Sequence, residues 1–396
     1  MKANDFEAGV FARPKIVWRN ILFFIFTSLV AFVGGPIYIL KYGISWPIVA
    51  LTAFYMVATG LAITAGYHRL FSHVTYKAHP AVRFLAVFFG SAAFEQSALE
   101  WSSQHRDHHL YTDTDRDPYD IKKGFFYAHM GWLMFWEHNV DFNNVHDLNK
   151  DPILKHQNEN YFAWAMIAGV VTPVVIGALM GHALGAFIFA VCFRITVVYQ
   201  STFCINSLCH MLGSATYDPD STAKDNWFSA LSTNGEGYHN FHHRFPSDYR
   251  NGVRWYHFDP SKWLIATLAH LGLTWDLKEV SQFRILAARL HAENVCVTRA
   301  LESLQKKHAD HARAKEIWIL RYELVRRHLT EWQSQFEAYQ IVLRERMTDS
   351  SRELRLSARK KMKDARRQYR VAHEQWKELV RRSPLDLQGL LLSGSI

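Results

Sequence analysis

The sequence predicts an all-α membrane protein: four transmembrane helices joined to a cytoplasmic, histidine-rich cap, then a coiled-coil-like helical hairpin. Three observations predict it. Four long apolar runs lie within the first 210 residues, each long enough to cross a hydrocarbon core of about 30 Å. Histidine clusters stand at the ends of those runs or between them. Residues 281–396 carry no such run and instead repeat apolar residues at heptad spacing.

The first span is read over Ile16–Leu40. Arg13, Lys15 and Arg19 on its leading side place that side in the cytoplasm. After the turn KYGIS, Trp46–Gly66 returns to the cytoplasmic side and His68 follows at once. The apolar stretch Pro80–Ser97 is interrupted by Arg83 and Glu95 and reads as a helix lying in the interface. If it crossed, the histidines before and after it would face opposite compartments. His105–Asp151 is polar and aromatic, a cytoplasmic segment of amphipathic character. Tyr161–Met180 and Leu184–Leu208 form the third and fourth spans, which leaves the histidine clusters and both termini on one side. The division is then a cytoplasmic segment 1–15, a transmembrane domain 16–280 and a tail 281–396. No short apolar core with a small-residue cleavage site occurs in the first 17 residues, so no secretory leader is expected.

The chain has 396 residues and a net charge of +9. That charge belongs to the tail, where 24 Lys and Arg stand against 14 Asp and Glu, leaving the first 280 residues near neutrality. The tail cations follow helical repeats without aromatic platforms, which argues against nucleic acid. Trp318, Tyr322, Val325, Leu329, Trp332, Phe336, Tyr339 and Leu343 form one heptad seam. Met362, Ala365, Tyr369, Ala372, Trp376 and Leu379 form another after the polar break Thr348–Ser351. Two such seams fit an antiparallel hairpin or a homo-oligomer joined through these helices, and the basic face could dock a partner or anionic lipid. Cys192, Cys204, Cys209 and Cys296 show no CxxC pairing and read as free thiols.

His105-Arg-Asp-His108-His109 and His239-Asn-Phe-His242-His243 share one spacing, HxxHH, which puts three imidazoles on one helix face. One HxxHH is usually a solvated polar patch. Two of them, joined by His68, His73 and His210 at the mouths of apolar spans, make a metal site the stronger reading, because histidine there is costly unless bound or paired. His308 and His311 read as solvated or seam residues. Nine histidines exceed the three or four that one zinc takes and suit two metal ions. Beside membrane spans, a redox-active pair such as iron points to oxidation of a lipid substrate.

HRLFSH, EWSSQHRDHH, NSLCH and GEGYHNFHHRFPSDY, with the connecting HMGWL and the closing LGLTWDLKEVS, resemble the histidine boxes of the integral-membrane acyl-CoA desaturases of the stearoyl-CoA Δ9 type. The resemblance covers roughly Trp46–Leu290. It implies two iron ions held by His68, His73, His105, His108, His109, His210, His239, His242 and His243, with Asn206 reaching one metal through water. It also implies a kinked acyl tunnel. Trp101 and Thr202 stand where the chain bends, Gln96 takes the place of a polar residue near the thioester, and Met56 and Gly60 would close the tunnel. The implied reaction is O2-dependent insertion of a cis double bond, usually at carbon 9, into a saturated fatty acyl chain.

Ser103-Gln104 replace the Arg-Asp pair that contacts coenzyme A in the animal enzymes, which leaves acyl-CoA and acyl-lipid substrates both open. No HPGG-type haem segment is present, so electrons would come from a separate ferredoxin-, rubredoxin- or haem-type carrier and its reductase. The box spellings and tail point to a bacterial source, hence an inner-membrane protein. The alternatives are a membrane di-iron fatty acid or alkane hydroxylase, which HxxxxH spacing in HRLFSH disfavours, and a non-enzymatic membrane metal-binding scaffold.

Overall fold

The computed structural model describes residues 15–135, 140, 142–305, 311–344 and 349–382. Most of the segment 1–15, with Arg13, and also His308 and Thr348, lie outside the described residues.

Among the described residues four helices are long and apolar enough to cross a membrane: α1 (Trp18–Tyr42), α2 (Trp46–Ser72), α6 (Tyr161–Leu179) and α7 (Ala183–His210). The inner pair, α2 and α7, is more than half buried, whereas α1 and α6 leave most of their surface open. Leu40 and Leu179, at 87% and 85% exposure, show what that open surface is made of. An apolar surface of this extent is stable against lipid and not against water. Helix α3 (Pro80–Ala92) has 13 residues, about 20 Å of rise, too short to span. It stays on the side where the histidines are, as the interface reading of Pro80–Ser97 requires.

Each of the four spans contains a stretch of π-helical hydrogen bonding. The longest, Ala62–Ser72, lies entirely within α2, is buried throughout and ends against the histidine sites. Helix α4 (Ala98–Tyr111) begins with a capping box: the Ser97 hydroxyl accepts from the Glu100 N–H at 3.1 Å, and the Glu100 carboxylate accepts from the Ser97 N–H. That fixes where α4 starts and so which side chains it turns inward. The short helices α5 (Pro152–Glu159), α8 (His239–Arg244) and α9 (Pro260–His270) complete the cap. A two-residue antiparallel pair, β1 (Lys77–Ala78) with β2 (Thr274–Trp275), ties the strand after α2 to the end of this part of the chain, with Ala78 opposite Thr274. A buried cluster around Tyr67, Phe71, Leu99, Leu154 and Ile265 packs α2, α4, α5 and α9 together.

Contacts divide the chain into two compact units: Met1–Ser214 with Ser221–Glu279, and Ala215–Asp220 with Val280–Ile396. In the second unit the two seams meet as expected. Trp318, Val325, Leu329 and Trp332 of α11 (His311–Arg344) pack against Ala365, Tyr369, Ala372 and Trp376 of α12 (Asp349–Val380). A third helix, α10 (Gln282–Gln305), joins this hairpin through Phe283, Leu290 and Leu301. Most of the heptad residues are therefore buried within the chain, whereas Leu343 at the end of the first seam stays exposed. The sequence reading put α10 in the tail but did not see it as part of this core, because its apolar residues (Phe283, Ile285, Leu286, Leu290, Val297, Leu301) do not keep one unbroken 3,4 stepping.

Candidate metal centre

Nine histidine side chains gather into two sets. His68, His73, His105, His109 and His242 form one, and His108, His210, His239 and His243 the other, with the potential ligand atoms of each set within 4.8 Å of one another. The sequence could name the nine but could not divide them. On α4 the i,i+4 pair His105 and His109 serves the first set while His108 turns to the second. On α8 the i,i+4 pair His239 and His243 serves the second set while His242 turns to the first. The shared HxxHH spacing thus lets each helix feed both sets.

His68 and His73 reach the same set for a different reason. Five residues apart on an α-helix they would diverge by about 140°. The π-helical bonding of α2, closed by His73 N–H donating to the His68 carbonyl at 3.1 Å, brings their rings to 4.9 Å. HxxxxH is the spacing that such a helix requires.

The ring nitrogens converge through Nε2. His68 and His242, His73 and His105, and His242 and His109 each approach to 2.9 Å, and in the second set the separations are 3.1 to 3.3 Å. Ligands bound at right angles about 2.1 Å from one cation stand about 3 Å apart, so the observed edges fit metal binding. In His68, His108 and His210 the opposite ring nitrogen is engaged elsewhere. Nδ1–H of His68 donates to Glu236 at 2.9 Å and that of His108 to Asp117 at 2.9 Å. His210 Nδ1–H donates at 2.8 Å to the Thr222 hydroxyl, which itself donates to Asp113 at 2.6 Å. Such partners fix the tautomer that leaves the Nε2 lone pair free, and orient the ring. Burial, then repulsion among neighbouring imidazoles, pushes His73, His105, His109, His242 and His243 well below the usual histidine range, as it does His239. Neutral imidazole is the form that binds metal.

Glu236 is a residue that the sequence reading missed, although it stands three positions before His239. Burial opposes its charge, but His68 and Arg69 outweigh that and hold it below the usual carboxylate range. Arg69 donates to Glu236 at 2.9 Å and to Asp259 at 3.0 Å, and Asn251 donates to Glu236 at 2.6 Å. Asp113 and Asp117, likewise missed, stand four and eight positions after His109, beyond the end of α4.

A cavity of about 800 Å³ opens beside both sets, with His68, His105 and His239 in its wall. Trp101, Thr202, Gln96 and Asn206 line it as well. Trp101 stacks on His105 at 4.7 Å. Thr202 donates its hydroxyl at 2.8 Å not to Gln96 but to Glu95, which also takes a hydrogen bond from Trp101. Burial, against those two hydrogen bonds, pushes the Glu95 carboxyl up to about 7. Gln96 contributes its backbone N–H to the Tyr161 hydroxyl at 3.0 Å. Among the described residues the cavity wall on α2 is made by Ile63, Thr64 and His68, without Met56 or Gly60. A Cβ on Gly60 would meet the Asn234 amide at 2.4 Å, and the wider π turns beyond it break the α-helical register that would have aligned it with His68.

Apolar spans, two imidazole sets that could hold metal and a cavity beside both define an integral membrane protein of the metal-binding kind. Residues 44–277 match the model of the fatty acid desaturase family, and the chain belongs to that family. It is 43% identical over 246 residues to acyl-CoA desaturase 1 of Saccharomyces cerevisiae, covering 61% of this chain and 48% of that protein. It is 37% identical over 276 residues to Delta(9)-fatty-acid desaturase fat-6 of Caenorhabditis elegans, covering 67% and 80%. Stearoyl-CoA desaturase 5 of Bos taurus is 34% identical over 285 residues, covering 70% and 84%. The chain spans about half the length of that Saccharomyces cerevisiae protein, and of the probable acyl-CoA desaturase of Schizosaccharomyces pombe, to which it is 43% identical over 226 residues.

Proposed function

We propose that this protein is an O2-dependent fatty acyl desaturase that inserts a cis double bond between carbons 9 and 10 of a saturated acyl chain. The carrying observation is that two imidazole sets, of five and four nitrogens, share a wall with one cavity large enough for an acyl chain. Relatives named for Δ9 and stearoyl-CoA desaturation support the position and the substrate class.

Iron is the proposed metal for both sets. Bound there, it would supply the chemistry by which O2, two electrons and two protons take one hydrogen from each of two adjacent methylenes, leaving an alkene and two waters. The chain's own residues hold and orient. Glu236, Asp117 and the Thr222–Asp113 pair keep the imidazoles aimed. Asn206, which lines the cavity, is proposed to reach one metal through water. Trp101, Thr202 and Glu95 form a joined polar and aromatic wall against which the acyl chain bends, with Gln96 beside them.

The substrate is proposed to be acyl-CoA or a lipid-linked acyl group, with electrons from a separate carrier protein and reductase. Lys15 before α1 and Arg19 in its first turn, with the even number of spans, support a cytoplasmic histidine cap.

The test is expression of the full chain in a host whose membrane fatty acids are then analysed by mass spectrometry, with His105→Ala as control. New monoenes with the bond at carbon 9, absent from the control, are expected. Hydroxy acids in their place would overturn desaturation in favour of hydroxylation.

A further inference from the structure

The turn between α3 and α4 is strained and tightly held. Phe94 (φ 63°) and Gln96 (φ 72°) are both left-handed and neither is glycine, and between them stands Glu95. Phe94 occupies the position just past the end of α3 where helices ordinarily place glycine. Side chains in this region persist only when their surroundings over-determine them, and they concentrate at functional sites.

Here the surroundings come from two spans. The Tyr199 hydroxyl of α7 donates to the Phe94 carbonyl at 2.6 Å, and the Tyr161 hydroxyl of α6 accepts from Gln96 N–H at 3.0 Å. Arg194 of α7, wholly buried, donates to the Ala92 carbonyl, and to that of Gly169 on α6 at 2.8 Å. Gly169 lets α6 close on the turn: a Cβ there would lie 2.5 Å from the Phe94 ring and 3.1 Å from the Ala92 carbonyl. What all this holds still is one carboxyl, Glu95, joined to Thr202 and Trp101, whose indole lies flat on His105.

We propose that the Phe94–Gln96 turn is the register stop of the cavity. It fixes the distance between the bend of the acyl chain and the histidine sets, and so decides which pair of methylenes is oxidised. Tyr199, Tyr161, Arg194 and Gly169 are positioning residues that act through Glu95. This rests on the desaturase reading above. A displacement of about 1 Å is enough to misplace a reacting group, and one methylene along the chain is a displacement of that order. A relaxed glycine turn would not hold a wall to that tolerance, and a turn pinned from two spans does.

The experiment compares double-bond position among the monoenes made by the full chain and by Tyr199→Phe, which removes only a hydroxyl, with metal content measured on the same purified proteins. Tyr199→Phe is expected to raise the share of positional isomers at least several-fold while metal content stays at the parent level. Tyr161→Phe, which frees the Gln96 N–H, should shift the same ratio and decides the matter if Tyr199→Phe does not accumulate. Val198→Ala, a buried cavity-forming change on α7, should lower yield without moving the ratio. An unchanged ratio in both tyrosine variants, or an equal shift in Val198→Ala, overturns the proposal. A parent that makes no monoene defeats the desaturase reading instead, and is told apart by that alone.

Discussion

The imidazole of His68 is held between a carboxylate and a second imidazole: Nδ1 lies 2.9 Å from Glu236, and Nε2 lies 2.9 Å from Nε2 of His242. Both His68 and Glu236 are buried, and Glu236 is shared with Arg69 and Asn251. One carboxylate therefore sets a ring that the five-histidine set needs and neutralises a cation that the fold has buried.

Glu236→Gln tests that double role. An amide of the same shape no longer matches both His68 and Arg69, so metal affinity should fall by about 10–100-fold, as for other outer partners of ligands. Breaking the buried pair with Arg69 should also cost about 3–5 kcal/mol. Metal titration of the purified protein and its denaturant midpoint read the two effects separately. Unchanged affinity would mean that His68 is oriented by packing alone.

The division of the histidines predicts metal stoichiometry. His210→Ala removes a member of the four-histidine set and leaves the other set complete, and His73→Ala does the reverse. Each variant should retain about half the parent's bound metal by elemental analysis. Complete loss in either would show that the two sets load as one.

How much of this was legible in the sequence depends on the kind of signal. The spans were read from apolar runs, and the nine histidines from repeated spacing, because both are local patterns. The partition of each HxxHH between two sets depends on where α4 and α8 face each other, which no local pattern encodes. HxxxxH carried the π-helical turn of α2 in plain view, since five is the wrong interval for an α-helix. Glu95 was passed over for Gln96 because adjacent residues around a left-handed turn cannot be assigned a direction from sequence. Gly60 was placed on the cavity by α-helical counting across the π stretch that invalidates it.

Protonation should unfold the metal-free protein from the acid side. In the folded state His73, His105, His109, His239, His242 and His243 are held well below the ordinary range near 6.5, chiefly by burial. The unfolded chain therefore binds more protons as pH falls below about 6.5, and stability drops by up to about 1.4 kcal/mol per pH unit for each such group. Thermal midpoints of chelator-treated protein in detergent should fall steeply below that pH, and reloading metal should suppress the fall. A flat profile for the stripped protein would count against neutral, buried imidazoles.

Glu95 works in the opposite sense. Its folded carboxyl is raised to about 7, so its stabilising contribution is full below the ordinary carboxylate range and is lost as pH rises through about 7. Glu95→Gln leaves an uncharged acceptor for Thr202 and Trp101 and cannot ionise. Between about pH 5 and pH 8 the variant should lose less stability than the parent, measured on metal-loaded protein so that the histidines do not titrate. Parallel profiles would place the Glu95 ionisation outside this window.

The last prediction concerns the tail. Trp376 sits in the buried core of the second unit, its ring 4.2 Å from that of Trp318, and its indole N–H donates to Glu293 of α10 at 2.7 Å. It therefore joins all three tail helices. Trp376→Ala removes the buried ring and its hydrogen bond to Glu293, which keeps its ion pair with Arg289 at 3.0 Å, a loss of about 3–5 kcal/mol by analogy with other buried aromatic truncations. None of the metal-site residues lies in this unit. If the tail folds on its own account, scanning calorimetry of the full chain should show a transition that shifts down or vanishes in the variant while bound metal and monoene production persist. Loss of metal together with that transition would show that the tail is required for the histidine sites to form, and that residues 281–396 are not a separable domain.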